Sequence, residues 1–375
     1  MTRMTGQEIS FRVDASLQIG TGHVMRCLTL ADALKAAGAR CRFICREHPG
    51  HLLDLIRQRG HAAIALSGTV ANASPDSREP PFQLAHAVWL GADWSTDAGQ
   101  TQTALHGLVT DWLIVDHYAL DARWESALKA TYRKLMVIDD LADREHIADL
   151  LLDQNLVDGM ENRYQGKVPG HCICLVGPQY ALLRPEFSML RPASLARRKM
   201  PALNRLLIFM GGSDPDDETG KVLDGVMLSR KPWKHIDVVV GESYSALQTL
   251  KETLANLPSA TLHIQTPDMA KLMAAADLAV TAGGSVTWEK CILGLPSLVV
   301  ILGENQRPTA TMMHQQGAQR TLGVASELTP AYYAQYLEGM VVDELPTMID
   351  CASKVCDGSG VEKVSRMILG DEKRI

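Results

Sequence analysis

The sequence predicts an α/β protein made of two doubly wound halves facing one another across a cleft, and three observations carry that expectation. Apolar runs of strand length ending in glycine or polar residues alternate with segments of helical period, first from Ile9 and again from Leu206. Glycine-bearing turns, Gly20-Thr21-Gly22, Gly211-Gly212-Ser213 and Gly283-Gly284-Ser285, stand where open parallel sheets hold ligands. At 375 residues the chain also exceeds one ordinary core. The expected division is a first domain over 1–190, a second over 200–330 and a helical segment over 331–375.

The first half opens with a strand from Ile9 to Val13, a polar turn, and a helix with Val24, Leu28, Ala31 and Leu34 at helical spacing. Arg42 to Cys45 reads as a second strand, His51 to Arg59 as a helix ended by Gly60, and Ala62 to Leu66 as a third strand. From Ser67 to about Gly99 the chain turns rich in Gly, Pro, Ser and Asp, an irregular excursion with a short helix near Phe82 to Val88. A helix over Thr101 to Leu108 precedes Trp112-Leu113-Ile114-Val115, a buried parallel strand with Asp116, His117 and Tyr118 at its C-terminal end. Strands at Leu135 to Ile138, Leu150 to Leu152 and Cys172 to Leu175 complete the first sheet. Pro185 to Pro201, basic and punctuated by proline, is expected to be a solvated linker.

The rhythm then restarts. Strands are expected at Leu206 to Met210, His235 to Val240, Leu262 to Gln265, Leu278 to Ala282 and Ser297 to Leu302. Helices alternate with them: one with Pro215 near its first position, then Tyr244 to Leu257, Met269 to Ala275 and Val286 to Leu293. The last fifty or so residues read as mainly helical.

Composition excludes several classes. A net charge of −6 leaves no basic footprint for nucleic acid, and 5% aromatic residues argue against base stacking or a sugar cleft lined with Trp. The 8 cysteines form no paired CxxC set, so reduced thiols are expected rather than a zinc site or disulfides. With no apolar leader in residues 1–10 and no run of eighteen apolar residues, a cytoplasmic protein without a membrane span is expected, a monomer or weak homo-oligomer.

The chemistry concentrates in the turns. His23 falls at the first turn of a helix, where unpaired amides favour an anion over an imidazolium, as a proton-accepting ring requires. The two diglycine turns suit phosphate oxygens, while the missing GxGxxG and Walker lysine argue against dinucleotide redox chemistry and P-loop hydrolysis. Glu289, one turn into the helix after Ser285, suits vicinal ribose hydroxyls, and Asn305 and Gln306 a pyrophosphate or sugar edge. Asp139 and Asp140 are expected to cap rather than to bind a metal.

The diglycine loops, the helix glutamate and the Gln-bearing loop resemble the nucleotide-sugar domain of GT-B glycosyltransferases, with two Rossmann-like domains, especially the enzyme that makes lipid II. Arg12-Val13-Asp14-Ala15-Ser16, Gln18 through Arg26, Val115-Asp116-His117-Tyr118 and Met210 through Asp214 resemble the UDP-sugar hydrolases of pseudaminic acid biosynthesis. That resemblance implies release of a 2,4-diacetamido-2,4,6-trideoxyhexose from its UDP conjugate, in the nonulosonic acid chemistry that serves bacterial flagellin glycosylation. It implies His23 as the base that activates water against the anomeric carbon, with C–O cleavage and inversion, no cofactor and no metal. It places Arg12, Asp14, Gly20, Gly22, His117, Tyr118, Asn305 and Gln306 around the sugar, and Gly211, Gly212, Ser213, Gly284, Ser285, Val286 and Glu289 around UDP. A glycosyltransferase and a non-catalytic nucleotide-sugar binder are the alternatives.

Overall fold

The computed structural model describes residues 6–68 and 84–370. It separates into two compact units, the first drawn from residues up to Asn155, Gly159–Leu182 and the chain from Gly360 onward, the second from Leu156–Asp158 and Leu183–Ser359.

In the first unit, β1 (Glu8–Val13), α1 (Gly22–Ala36), β2 (Arg40–Arg46), α2 (Leu53–Gln58) and β3 (Ala62–Leu66) are followed by α3 (Trp94–Ala104), β4 (Thr110–Asp116) and α4 (Ala122–Ala127). Then come β5 (Tyr132–Ile138), β6 (Leu150–Asp153) and β7 (Ile173–Val176). The 7 strands form one parallel sheet in the order β3-β2-β1-β4-β5-β6-β7. β1 and β4 are both buried, and β4 reads as a continuous apolar run, whereas β1 alternates Ile9, Phe11 and Val13 with the buried polar Ser10 and Arg12. Phe11 stacks on Phe43 at 4.7 Å in the core. The last helix, Gly360–Leu369, returns to this unit, burying Val364 and Ile368 and accepting from Trp112 Nε1 at Ile368 O, 2.9 Å.

The expected excursion at 67–99 lies partly outside the described residues, as do Phe82 and its neighbour in the expected helix there. Within its described part, a 3₁₀ turn spans Ala87–Leu90 and α3 begins at Trp94, well ahead of the expected Thr101. The reason is a cap: the Asp93 carboxylate accepts from Thr96 N at 2.9 Å.

The second unit contains α5 (Pro185–Arg197), β8 (Arg205–Phe209), α6 (Glu218–Leu228), β9 (His235–Val240), α7 (Leu247–Ala255), β10 (Ala260–Ile264) and α8 (Met269–Ala275). β11 (Leu278–Ala282), α9 (Val286–Ile292), β12 (Ser297–Ile301), α10 (Arg307–Gln315), β13 (Arg320–Val324), α11 (Pro330–Gly339) and α12 (Leu345–Val355) follow. The 6 strands pair in parallel as β10-β9-β8-β11-β12-β13, the doubly wound 3-2-1-4-5-6 order.

Three expectations are corrected here. The stretch from Pro185 is a helix of the second unit, not a solvated linker. Its arginines bind carbonyls at the C-terminal ends of other helices: Arg191 reaches Ile292 O at 2.6 Å, and Arg198 reaches Leu293 O, Ala276 O and Met273 O at 2.8–2.9 Å. The helix after β8 starts at Glu218 rather than at Pro215, because Asp214 and Asp217 both take positive φ ahead of it. β13 was not expected; it is short and pairs through an irregularity between Val299 and Val300.

Candidate functional site

Strand order reverses beside β1 and β4 in the first unit and beside β8 and β11 in the second, where doubly wound sheets hold ligands at the C-terminal strand ends. The predicted residues gather at those two places.

In the first unit the turn after β1 is closed by Gly20 N donating to Ser16 O at 2.9 Å, while Ser16 Oγ accepts from Gln18 N and Ile19 N. Gly20 has φ +79°, a left-handed conformation that glycine adopts without strain. Gly22 is the first residue of α1, so this turn delivers His23 to the start of the helix. His23 is 9% exposed, and its Nδ1 lies 2.6 Å from Asp116 Oδ1 at the end of β4. Arg26, one turn further along α1, donates to the same carboxylate through Nε and Nη2, both at 2.6 Å, and to Asp140 at 3.0 Å.

This geometry selects a tautomer. Arg26 Nη2 stands 3.3 Å from Nδ1, but the 2.6 Å contact with a carboxylate is the stronger one and requires a proton on Nδ1. Nε2 is then the accepting nitrogen, and no hydrogen bond occupies it among the described residues. Burial alone would raise the Asp116 carboxyl; Arg26 above all, with His23, overcomes it and holds the acid well below the usual carboxylate range. Asp116 therefore stays ionised and fixes the ring. Tyr118 meets the His23 ring edge-on at 4.7 Å, and burial, then the charge of Asp140, push its phenol upward, so it stays protonated.

Arg12 and Asp14 lie deeper than expected. Arg12 is fully buried, donating to Asp14 Oδ1 at 2.6 Å and to both oxygens of Asp97 at 2.6 and 3.1 Å. Asp14 also accepts from Arg46 N at 2.7 Å, and Arg46 donates to Asp97 at 2.7 Å. This correction turns Arg12 from a substrate contact into part of a buried ionic frame. Burial opposes the charge on Asp14, but Arg12 leads the groups that hold its carboxyl well below the ordinary value. His117, 3% exposed, accepts from Ala119 N at 3.0 Å through Nδ1 and turns Nε2 toward Asp14 Oδ2 at 3.4 Å.

Asp139 and Asp140 are engaged by protein donors. Asp139 accepts from Ala142 N at 2.9 Å and pairs with Arg144 at 2.9 Å, whereas Asp140 holds Arg26. Arg26 and Asp97 are side chains of this site to which the sequence reading gave no role; Asp116 was expected only as a strand-end acid, and Asp140 holds Arg26 instead of capping. Arg26 carried a signal, since i+3 spacing from His23 puts both on one helix face.

In the second unit Gly211 has φ +107°, and Gly212 O accepts from Gly241 N at 2.9 Å, joining the turns after β8 and β9. The main-chain N–H groups of Gly212 and Ser213 make no hydrogen bond among the described residues. The N-terminus of α6 does not share that freedom, a correction to the expected pair of phosphate-binding helix ends. Asp214 accepts from Glu218 N and Thr219 N at 3.0 and 2.8 Å, and Asp217 from Gly220 N at 2.9 Å. The chain's own carboxylates occupy the place of an anion.

The turn after β11 is organised differently. Gln306 Oε1 accepts from Gly283 N at 3.3 Å and Leu302 N at 3.0 Å, tying the ends of β11 and β12 together, while Asn305 is exposed beside it. Ser285 precedes α9 with no side-chain cap, and the N–H groups of Gly284, Ser285 and Val286 are without a hydrogen bond among the described residues. Glu289 sits 3.6 Å from Arg184; burial raises its carboxyl to about 7 against the pull of that guanidinium. The second unit thus offers amide donors and two acids raised by burial, Glu289 and Asp214, and the first a positioned imidazole.

No protein-family profile matches the chain. It is 24% identical over 304 residues to an uncharacterized protein of Methanocaldococcus jannaschii, and 29% identical over 209 residues to the spore coat polysaccharide biosynthesis protein SpsG of Bacillus subtilis. The matches take in 80% and 54% of this chain but only 57% and 59% of those relatives. It is also 27% identical to the UDP-2,4-diacetamido-2,4,6-trideoxy-beta-L-altropyranose hydrolase of Campylobacter jejuni, over 83% of this chain and 97% of that one. Among solved structures, Acinetobacter baumannii MurG superimposes with a TM-score of 0.67 at 16% identity, over 97% of this chain and 99% of that one. Arabidopsis thaliana UGT89C1, solved with UDP, superimposes with a TM-score of 0.64 at 13% identity, over 96% and 99%. The fold is that of the GT-B glycosyltransferases, as the motifs implied.

Proposed function

We propose that this chain hydrolyses a UDP-linked 2,4-diacetamido-2,4,6-trideoxyhexose to the free sugar and UDP, as a step of pseudaminic acid biosynthesis. The observation that carries the reading is His23 held by Asp116 through Nδ1, with Nε2 left to accept a proton. The 27% identity to a hydrolase of that substrate class supports it.

In this mechanism Nε2 takes a proton from water as the water oxygen bonds to the anomeric carbon. The bond from that carbon to the bridging oxygen breaks, and UDP leaves with the oxygen and its electron pair. Attack from the face opposite the diphosphate inverts the anomeric centre, since a base and room for one water suffice. A diphosphate is a stable leaving group, so no strong general acid is needed. The N–H groups of Gly284, Ser285 and Val286 stabilise the charge it gains, and Glu289 accepts from the ribose hydroxyls. The reaction assigns no role to a metal ion.

Incubation with the UDP-sugar in ¹⁸O-labelled water tests this. UDP is released without an acceptor and the label appears on the sugar; label on phosphate, or release only when an acceptor is added, refutes it. The acceptor-dependent outcome belongs to the competing reading, a transferase, which the GT-B fold itself favours. A base contributes about 10²- to 10⁴-fold, so His23→Ala lowers turnover by that factor and leaves UDP affinity nearly intact.

A further inference from the structure

Beside His23 lies a group of rings that the mechanism does not use. Trp89 stacks on Tyr118 with centroids 5.6 Å apart and planes 26° from parallel, and His86 packs 5.2 Å from Tyr118 and 4.3 Å from Trp89. Tyr118 in turn touches the base at 4.7 Å. Tyr118 is buried, but His86 and Trp89 are only half-buried, so part of the cluster one ring removed from His23 stays exposed. Both come from the 3₁₀ turn Ala87–Leu90 ahead of α3, Trp89 from within it and His86 from the position just before it. Low aromatic content argued against a Trp beside a sugar, yet one well-placed indole is enough.

We propose that His86 and Trp89 complete, with Tyr118, an aromatic wall that receives the C–H-rich face of the sugar and selects a deoxygenated, N-acetylated hexose over a fully hydroxylated one. The inference rests on the UDP-sugar hydrolase reading. Ring faces carry partial negative charge and attract C–H groups, while apolar area is gained by covering them. A C6 methyl and acetamido methyls fit such a surface. A C6 hydroxyl pressed against it loses its water without gaining a partner. His86 belongs to the same uncharged surface: burial, the leading effect on its ring, lowers its pKa and keeps the imidazole neutral.

The test compares affinities in a His23→Gln background, where binding is read without turnover. Titration calorimetry with UDP, UDP-N-acetylglucosamine and UDP-2,4-diacetamido-2,4,6-trideoxy-L-altrose gives the contribution of each sugar beyond UDP. Trp89→Ala reduces affinity for the diacetamido-deoxy nucleotide by about 3- to 10-fold, with UDP unchanged, and brings it close to UDP-N-acetylglucosamine. Trp89→Phe restores most of the difference. An unchanged ratio between the two sugar nucleotides in Trp89→Ala and His86→Ala overturns the wall, as does equal weakening of UDP. Because this readout needs no hydrolysis, a native enzyme that shows the Trp89 effect but never releases UDP refutes the hydrolase reading and leaves the wall standing.

Discussion

Replacing Asp116 by asparagine separates a chemical role for the carboxylate from a structural one. Its two oxygens take His23 Nδ1 and Arg26 Nε and Nη2, all at 2.6 Å. An amide has one oxygen and one NH₂ to offer the same three donors. At the Oδ2 position the NH₂ meets Arg26 Nε, donor against donor; at the Oδ1 position it faces Arg26 Nη2 and His23 Nδ1 together, and there it makes Nδ1 the acceptor and moves the ring proton to Nε2. Each arrangement costs one Arg26 contact, and the second also leaves the base with its lone pair on the wrong side. A wrong tautomer in a carboxylate–imidazole pair costs about 10⁴-fold in kcat. Arg26 keeps Asp140 at 3.0 Å, so the loss of one counter-charge destabilises the fold by less than the roughly 3–5 kcal/mol of a fully orphaned buried charge. UDP release is therefore measured at a temperature where thermal unfolding shows the variant folded. His23→Ala and the double variant complete the assay: residues acting as one unit lose no more together than His23→Ala alone. Strictly additive losses, or an Asp116→Asn enzyme within a few-fold of native turnover, would refute the tautomer argument.

Other consequences follow from single contacts. Burial, opposed by Arg184, holds Glu289 at about 7, so the acid keeps its proton below that value. Affinity for a UDP-sugar, whose esterified diphosphate does not titrate there, rises between about pH 6 and pH 8 by calorimetry, and Glu289→Gln flattens the rise. Asp214→Ala removes the acceptor of two α6 amides and lowers stability by about 1 kcal/mol in urea melts, with α6 otherwise intact by circular dichroism. In Gly241→Ala the new Cβ would stand 2.2 Å from Gly212 O, so the turn after β8 must shift; UDP affinity falls while the far-ultraviolet spectrum is unchanged. Turnover measured after exhaustive chelation stays at the native rate, and restoration by an added divalent cation would contradict the assigned chemistry.

How far the sequence reveals this arrangement depends on the range of the forces involved. His235–Val240, Ala62–Leu66 and Met269–Ala275 match their sequence expectations residue for residue, because short apolar strands, whether buried or at a sheet edge, and a helix packed on a sheet write their pattern locally. The turn after β8 is legible for a local reason too, since Gly211 at φ +107° stands where the backbone demands glycine. α5 is not, because its prolines and arginines look solvated until the carbonyls of residues about eighty to one hundred positions away are in place. Asp116 was visible as a strand-end acid, but its task depends on a ring 93 positions earlier. Whether an acid caps, pairs or orients is decided by long-range contact, which no local pattern encodes.

The distribution of charge explains why the two units are built so differently. Arg12, Asp14, Arg46 and Asp97 are fully buried in the first unit, an arrangement that gives little net stability because desolvation offsets the attraction. Its value is direction: Asp14 Oδ1 and both oxygens of Asp97 are committed and Asp14 Oδ2 faces His117 Nε2 at 3.4 Å, so the ends of β1 and β2 cannot settle into alternative rotamers. Proton transfer depends on such fixed placement, since a displaced lone pair is lost rate. The turns of the second unit bring main-chain N–H groups instead, and α6 even closes its own end with Asp214 and Asp217. A diphosphate is met by many weak dipoles whose sum tolerates small shifts, so rigidity is needed less there than close approach, which glycine provides. Substitutions in the buried frame of the first unit should therefore act on kcat through the placement of His23, and substitutions in the glycine turns on UDP affinity.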